Sequence, residues 1–108
     1  MTYEYTATVE NVVDGDTLDL SIDLGFKVKT TQRVRLARID APERTQPNYA
    51  AAKDFVRDVA LKKAVLVQTY KVSKWGYYLA DITLADGRNL NDTLVQAQLA
   101  VYYDGAQK

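Results

Sequence analysis

The chain contains no cysteine and no histidine among its 108 residues. The first absence excludes disulfides and thiolate chemistry, although it does not fix a compartment. The second excludes more. It removes Ser-His-Asp triads, histidine general bases and most transition-metal sites. No apolar run is long enough to span a membrane, so no membrane partner is expected. The N-terminal stretch Met1-Thr2-Tyr3-Glu4-Tyr5 lacks the basic-then-apolar pattern of a signal peptide. That fits a cytoplasmic protein starting at Met1, or a mature secreted fragment. Whatever chemistry exists must use carboxylates, arginine, lysine and tyrosine.

What is present is ordinary in bulk and uneven in arrangement. Apolar residues make up 47% and charged residues 26%, as in a soluble globular protein, and the length fits one domain over 1–108. Residues 104–108 are expected to fray, and the domain to be a monomer. Net charge is zero, but residues 1–26 carry six acids and no lysine or arginine. Residues 27–74 carry twelve basic residues against four acids, a net +8. A basic middle beside an acidic start suits a polyanion held next to a cation. Equally, these charges could be solvated surface that mixes on folding.

The periodicity predicts five strands and two helices. Tyr3–Val13 alternates and is rich in Thr, Val and Tyr. Asp14-Gly15 reads as a two-residue hairpin turn, both residues tolerating positive φ. Leu18, Leu20, Ile22 and Leu24 alternate with Asp19, Ser21 and Asp23, and Gly25-Phe26 turns the chain into a third strand over Lys27–Ile39. These three strands form a meander. Asn48 is placed to cap a helix reaching about Lys63, with Ala52, Phe55, Val56 and Val59 as its core stripe. Val65–Tyr70 and Tyr77–Leu84 are the fourth and fifth strands. Asn89 caps a second helix carrying Leu90, Leu94 and Ala97. Five strands with a helix between the third and fourth is the order of an OB-fold barrel, mainly β with helices.

One stretch concentrates the chemistry. Arg33-Val-Arg-Leu-Ala-Arg-Ile-Asp-Ala-Pro-Glu43 starts as a strand and breaks at Ala41, which Pro42 pushes towards extended geometry. The break leaves Asp40 and Glu43 near Arg35. Alone this could be an ordinary salt-bridge cluster. A second acidic pair, Asp14 and Asp16, lies at the upstream turn, and strand pairing could bring it to the same place.

These motifs resemble the staphylococcal nuclease family over nearly all of Thr8–Tyr103. The resemblance rests on Val13-Asp-Gly-Asp-Thr17, Arg35-Leu36 with Ile39-Asp-Ala-Pro-Glu43, Lys74-Trp75-Gly76, and Asn91–Ala100. It implies a calcium-dependent nuclease acting on DNA, or on both DNA and RNA, with low sequence specificity. On that reading Asp16 and Asp40 correspond to calcium-ligating carboxylates, and the backbone carbonyl of Ala41 to a further ligand. Glu43 corresponds to the general base, Arg35 to the guanidinium on the scissile phosphate, and Asp14 to a supporting acid. The chemistry is coherent. Calcium takes several hard oxygen ligands in loose geometry, and a metal with an arginine stabilises charge building on a phosphoryl group. Lys74 and Trp75 are candidate nucleic-acid contacts, the indole for base stacking.

The sequence departs from the family at one important place. The family has a second phosphate-binding arginine where this chain has Tyr77. Tyrosine offers a neutral hydrogen bond and no charge, and losing a transition-state donor costs about 3–4 kcal/mol. Arg38, Arg44 or Lys74 are nearby cations in sequence. The family prototype's third helix has no counterpart within these 108 residues. Two alternatives therefore stand beside the enzyme: a catalytically weakened binding module of the same fold, and a plain OB-fold protein-interaction domain.

Overall fold

The computed structural model describes residues 3–72 and 76–102 of the chain. The expectations for Lys74, Trp75, Tyr103 and the tail lie outside the described residues. Strand β1 (Tyr3–Asp14) pairs antiparallel with β2 (Thr17–Asp23), and β2 with β3 (Lys29–Leu36). A two-residue strand, β4 (Ile39–Asp40), follows, then helix α1 (Tyr49–Ala60). Strands β5 (Ala64–Val72) and β6 (Tyr78–Thr83) lead to helix α2 (Leu90–Gln96) and a short β7 (Val101–Tyr102). The strands close into a barrel in the order β1-β2-β3-β6-β5, with β5 returning to β1 and β3 running parallel to β6. This is the five-stranded OB-fold barrel with two helices that the sequence order implies.

Closure follows from the alternation in the strands. Leu18 and Leu20 on β2, Val34 and Leu36 on β3, Val67 on β5 and Ile82 on β6 all turn inward and are fully buried. β1 contributes Val9 and Val12 and carries two register shifts, between Val9 and Asn11 and between Val12 and Asp14. Bulges of this kind bend a strand and raise its twist, which lets a short sheet curl shut. Ala52 and Val56 bury the inner face of α1, while Phe55 and Val59 are partly covered.

Several boundaries differ from the sequence expectation, each for a local reason. The third strand ends at Leu36 instead of Ile39. Arg38 takes φ 68°, a left-handed turn, and its guanidinium bonds Asp81 at 2.5 Å and Asp92 at 3.0 Å. The chain then leaves the barrel, and Ile39-Asp40 pairs with Val101-Tyr102 in a separate two-stranded sheet. Gly15 is not in the left-handed region that the Asp-Gly turn suggested; the positive-φ glycines described are Gly25, Gly76 and Gly87. Asn48 does stand at the start of α1, but with φ 70° and no side-chain cap bond. Helix α1 stops at Ala60, because Leu61 is extended and Lys62 is left-handed at φ 63°. Leu24 lies beyond β2 and is exposed, and Ala97 closes α2 from an exposed position.

Where β3 departs from β6, Asn91 supplies the missing bonds. Its Nδ2 donates to Ala37 O at 2.8 Å and Ala80 O at 3.0 Å, and its Oδ1 accepts from the Ile82 N–H at 3.2 Å. The side chain is fully buried, so each group it leaves would lack water as well. Asn91→Ala is expected to destabilise the domain by at least about 2 kcal/mol. Urea unfolding checks this; an unchanged midpoint would mean that the three bonds contribute nothing net.

Candidate functional site

The site is built at the corner where β1 turns into β2 and β3 gives way to β4. Thr17 of β2 pairs with Arg35 of β3, so the turn residue Asp16 lies beside the end of β3. The backbone closes this contact: Leu36 N–H donates to Asp16 O at 2.8 Å. Arg35 sits on the outward side of β3, opposite Val34 and Leu36 in the pleat, yet only 8% of it is exposed. The 39–41 segment folds over it. Its Nη1 donates to Ile39 O at 3.1 Å and Leu36 O at 3.4 Å. Its Nη2 meets Asp40 Oδ1 at 2.9 Å and Asp16 Oδ2 at 3.3 Å.

Two carboxylates from different parts of the chain therefore share one guanidinium nitrogen. Asp16 is 8% exposed; its Oδ2 also accepts the Ala41 N–H at 3.0 Å, and its Oδ1 accepts the Thr17 hydroxyl at 3.2 Å. Burial pushes the Asp16 carboxyl above its ordinary range. Arg35 and the Ala41 N–H pull it down, and the Asp40 charge adds to the rise. One arginine against two acids leaves the cluster net negative, with Asp16 buried and the Asp40 side chain 47% exposed to water.

Asp14 points away from this pair into a contact that the sequence does not announce. Tyr49, the first residue of α1, donates its hydroxyl to Asp14 Oδ1 at 2.6 Å. Glu43 lies exposed beyond the 39–41 segment, in a turn closed by Glu43 N–H to Gln46 Oε1 at 2.7 Å and Gln46 N–H to Glu43 O at 2.8 Å. Tyr77 comes just before β6. Because Tyr78 is in register with Val34, Tyr77 falls level with Arg33, and the Arg33 guanidinium sits 5.9 Å from the centre of its ring. Arg33 is itself held by Asp19 through two bonds of 2.7 and 3.2 Å. Of the positions singled out in the sequence, the structure thus gathers Asp16, Arg35, Asp40 and Ala41. Asp14 and Glu43 flank that group, and Tyr77 lies one pleat along β3. Among the described residues no three carboxylates come together as a ready-made metal cluster.

Arg38 does not join the site. It anchors the corner behind it, in a network where Asp81 accepts from Arg38, Tyr70 at 2.7 Å and Asn89 at 3.2 Å. Burial raises the Asp81 carboxyl, but these donors outweigh it and hold the group below its ordinary range. Tyr49, Gln46 and Asn89 were not singled out as site supports. Asn89 had a sequence signal as a helix cap; Tyr49 had none, since its partner Asp14 is set by the packing of α1 against the β1–β2 turn, and Gln46 closes a local turn with Glu43.

The barrel and the acid–arginine corner at its edge define a small OB-fold domain with a polar cluster where β3 gives way to β4. Residues 33–108 match the staphylococcal nuclease homologue family, and the chain belongs to that family. It is 30% identical over 96 residues to an uncharacterized endonuclease of Escherichia coli O157:H7, covering 89% of this chain and 60% of that protein. It is 31% identical to a micrococcal nuclease of Shigella flexneri, covering 93% and 59%, and 29% identical to Protein ParB of Escherichia coli, covering 93% and 58%. The chain thus spans about 60% of the length of these curated relatives.

Gly15 has a specific part in the corner. A Cβ there would lie 2.9 Å from Ala52 Cβ on α1 and 3.1 Å from Ala41 Cβ, so only hydrogen fits between helix, turn and the 39–41 segment. Gly15→Ala is expected to cost about 1–3 kcal/mol through overpacking, read by urea unfolding with an unchanged slope. Full retention of stability would show that helix α1 can yield at that point.

Proposed function

We propose that the domain hydrolyses phosphodiester bonds in DNA, or in both DNA and RNA, with low sequence specificity and with calcium as cofactor. The observation that carries this reading is the convergence of Asp16 and Asp40 on Arg35 at the edge of the barrel. The residues fit a hard divalent cation. Asp16 is a desolvated acid whose charge Arg35 only partly offsets, Asp40 is beside it, and the Ala41 carbonyl belongs to the same segment. Two carboxylates and a carbonyl are fewer than the six to eight oxygens that calcium takes, so water and phosphate oxygen complete the set. When bound, calcium supplies Lewis-acid polarisation of a phosphoryl oxygen.

The chain's own residues do the rest. Arg35 is oriented by two backbone carbonyls through Nη1, and its Nη2, shared by Asp16 and Asp40, is the donor for which a phosphate oxygen would compete. Glu43, exposed beyond the ligand segment, takes the proton from the attacking water. Tyr77 brings no positive charge, and Arg33 beside it is paired with Asp19, so the developing charge is less fully balanced than two arginines would make it. That same feature favours the second reading, a binding module of reduced activity. The discriminating assay is cleavage of plasmid and single-stranded DNA in calcium against chelator.

Two outcomes are expected. Glu43→Gln lowers the cleavage rate far more than it lowers DNA affinity, because a general base acts in the transition state; cleavage at the parental rate would remove Glu43 from the role. Tyr77→Arg raises the calcium-dependent rate by at least about tenfold, a modest share of what such a donor supplies, and the gain vanishes when Glu43→Gln is added. A folded Tyr77→Arg protein that cleaves no faster would mean that another cation already serves the phosphate.

A further inference from the structure

The tip of the β2–β3 hairpin is built against its own stability. Gly25, Phe26 and Lys27 take positive φ in succession, at 82°, 55° and 63°. That conformation is unfavourable for a bulky side chain, and glycine or asparagine would make the turn more easily. Phe26 is 100% exposed, with Leu24 at 45% and Val28 at 52% on either side. The backbone there is well tied: Gly25 N–H donates to Asp23 Oδ1 at 2.8 Å, Leu24 N–H to Val28 O at 2.8 Å, and Val28 N–H to Gly25 O at 2.9 Å. The fold thus holds an aromatic ring out in water on a braced turn and gains no packing from it.

The surroundings say what the ring meets. Lys27 and Lys29 are exposed beside it. From Lys29 the outward face of β3 continues through Thr31 and Arg33 to Arg35, in register with Asp23, Ser21, Asp19 and Thr17. Asp19 already neutralises Arg33, and Asp16 and Asp40 close on Arg35, so the cations left to meet a polyanion along this face are the two lysines at the tip. Six register steps separate the tip from that site, about 20 Å at the usual strand rise. OB folds bind single strands of about 4–16 nucleotides, with aromatic rings stacking on bases and cations tracking phosphates.

We propose that the 24–29 tip is a second contact for single-stranded nucleic acid, with Phe26 stacking on an unpaired base and Lys27 and Lys29 meeting phosphates. The idea rests on the nucleic-acid reading of the candidate site, which sets the other end of the track. An apolar tip with lysines could also suit an anionic lipid surface. What favours nucleic acid is that the tip shares one strand face with Arg35.

The test measures fluorescence anisotropy of a labelled single strand of about twelve nucleotides, and of its duplex, in chelator so that neither is cut. Phe26→Gly is expected to weaken single-strand binding at least about tenfold, to change duplex binding less than about twofold, and to leave the melting temperature equal or higher, since it relieves an exposed ring at positive φ. Lys27→Ala and Lys29→Ala should each flatten the salt dependence by about 0.7 of a unit in log–log slope. Unchanged single-strand affinity in Phe26→Gly overturns the proposal. So does equal loss on duplex, no binding by the parent at low salt, or Phe26-dependent binding only to phosphatidylserine vesicles or to a second copy of the chain. Calcium-dependent cleavage by the parent is read separately. A parent that binds through Phe26 without cleaving supports the tip and rejects the nuclease; a parent that cleaves while Phe26 is dispensable does the reverse.

Discussion

The corner of this domain depends on one guanidinium. Arg35 is buried on the outer side of β3, where two carboxylates and two backbone carbonyls close around it. Removing it would leave the buried Asp16 carboxylate without its cation and with Asp40 beside it, and an uncompensated buried charge is among the costlier defects a fold can carry. A cluster of two acids and one arginine is unbalanced, and on the proposed reading a cation would relieve the acids while a phosphate claims the arginine. Structure and chemistry thus use the same atoms.

Behind that corner stands a second polar assembly that has only a structural part. Arg38 adopts a left-handed backbone at the point where the chain leaves the barrel, and Asp81 and Asp92 receive its guanidinium. Asn91 replaces the ladder bonds lost there, and Tyr102 donates to Asp92 from β7 at 3.1 Å. Helix α2 and the last strand are therefore what fixes the segment carrying Asp40 and Ala41. The N-D-T-L stretch, part of the family resemblance, serves the site through packing and never touches it.

The hairpin tip shows the opposite relation. The barrel core buries Leu18, Leu20 and Val34 fully, whereas Phe26 is left outside on a turn that it disfavours. Features that cost stability and return none within the chain are where an external contact is to be sought.

The sequence by itself determined the barrel. Strict alternation in β1–β3, a helical stripe between the third and fourth strands, and turn residues at the right spacings leave few other ways to bury the apolar positions. It also marked Asp16, Arg35 and Asp40, which the fold brings together, and Glu43, which stays exposed beyond them, because that motif is specific in residue type and spacing. Tertiary structure decided the rest. Alternation cannot see that β3 ends at Leu36, since that end is set by ion pairs from Arg38 to residues more than forty positions away. Local propensity assigned Gly15 a positive φ, while its real constraint is the approach of Ala52 and Ala41 from elsewhere in the chain. Nor could sequence say that Tyr77 would meet Arg33, because that follows from the parallel register of β3 and β6. Short-range pattern is written residue by residue; contacts across the barrel exist only once closure brings distant residues to the same point.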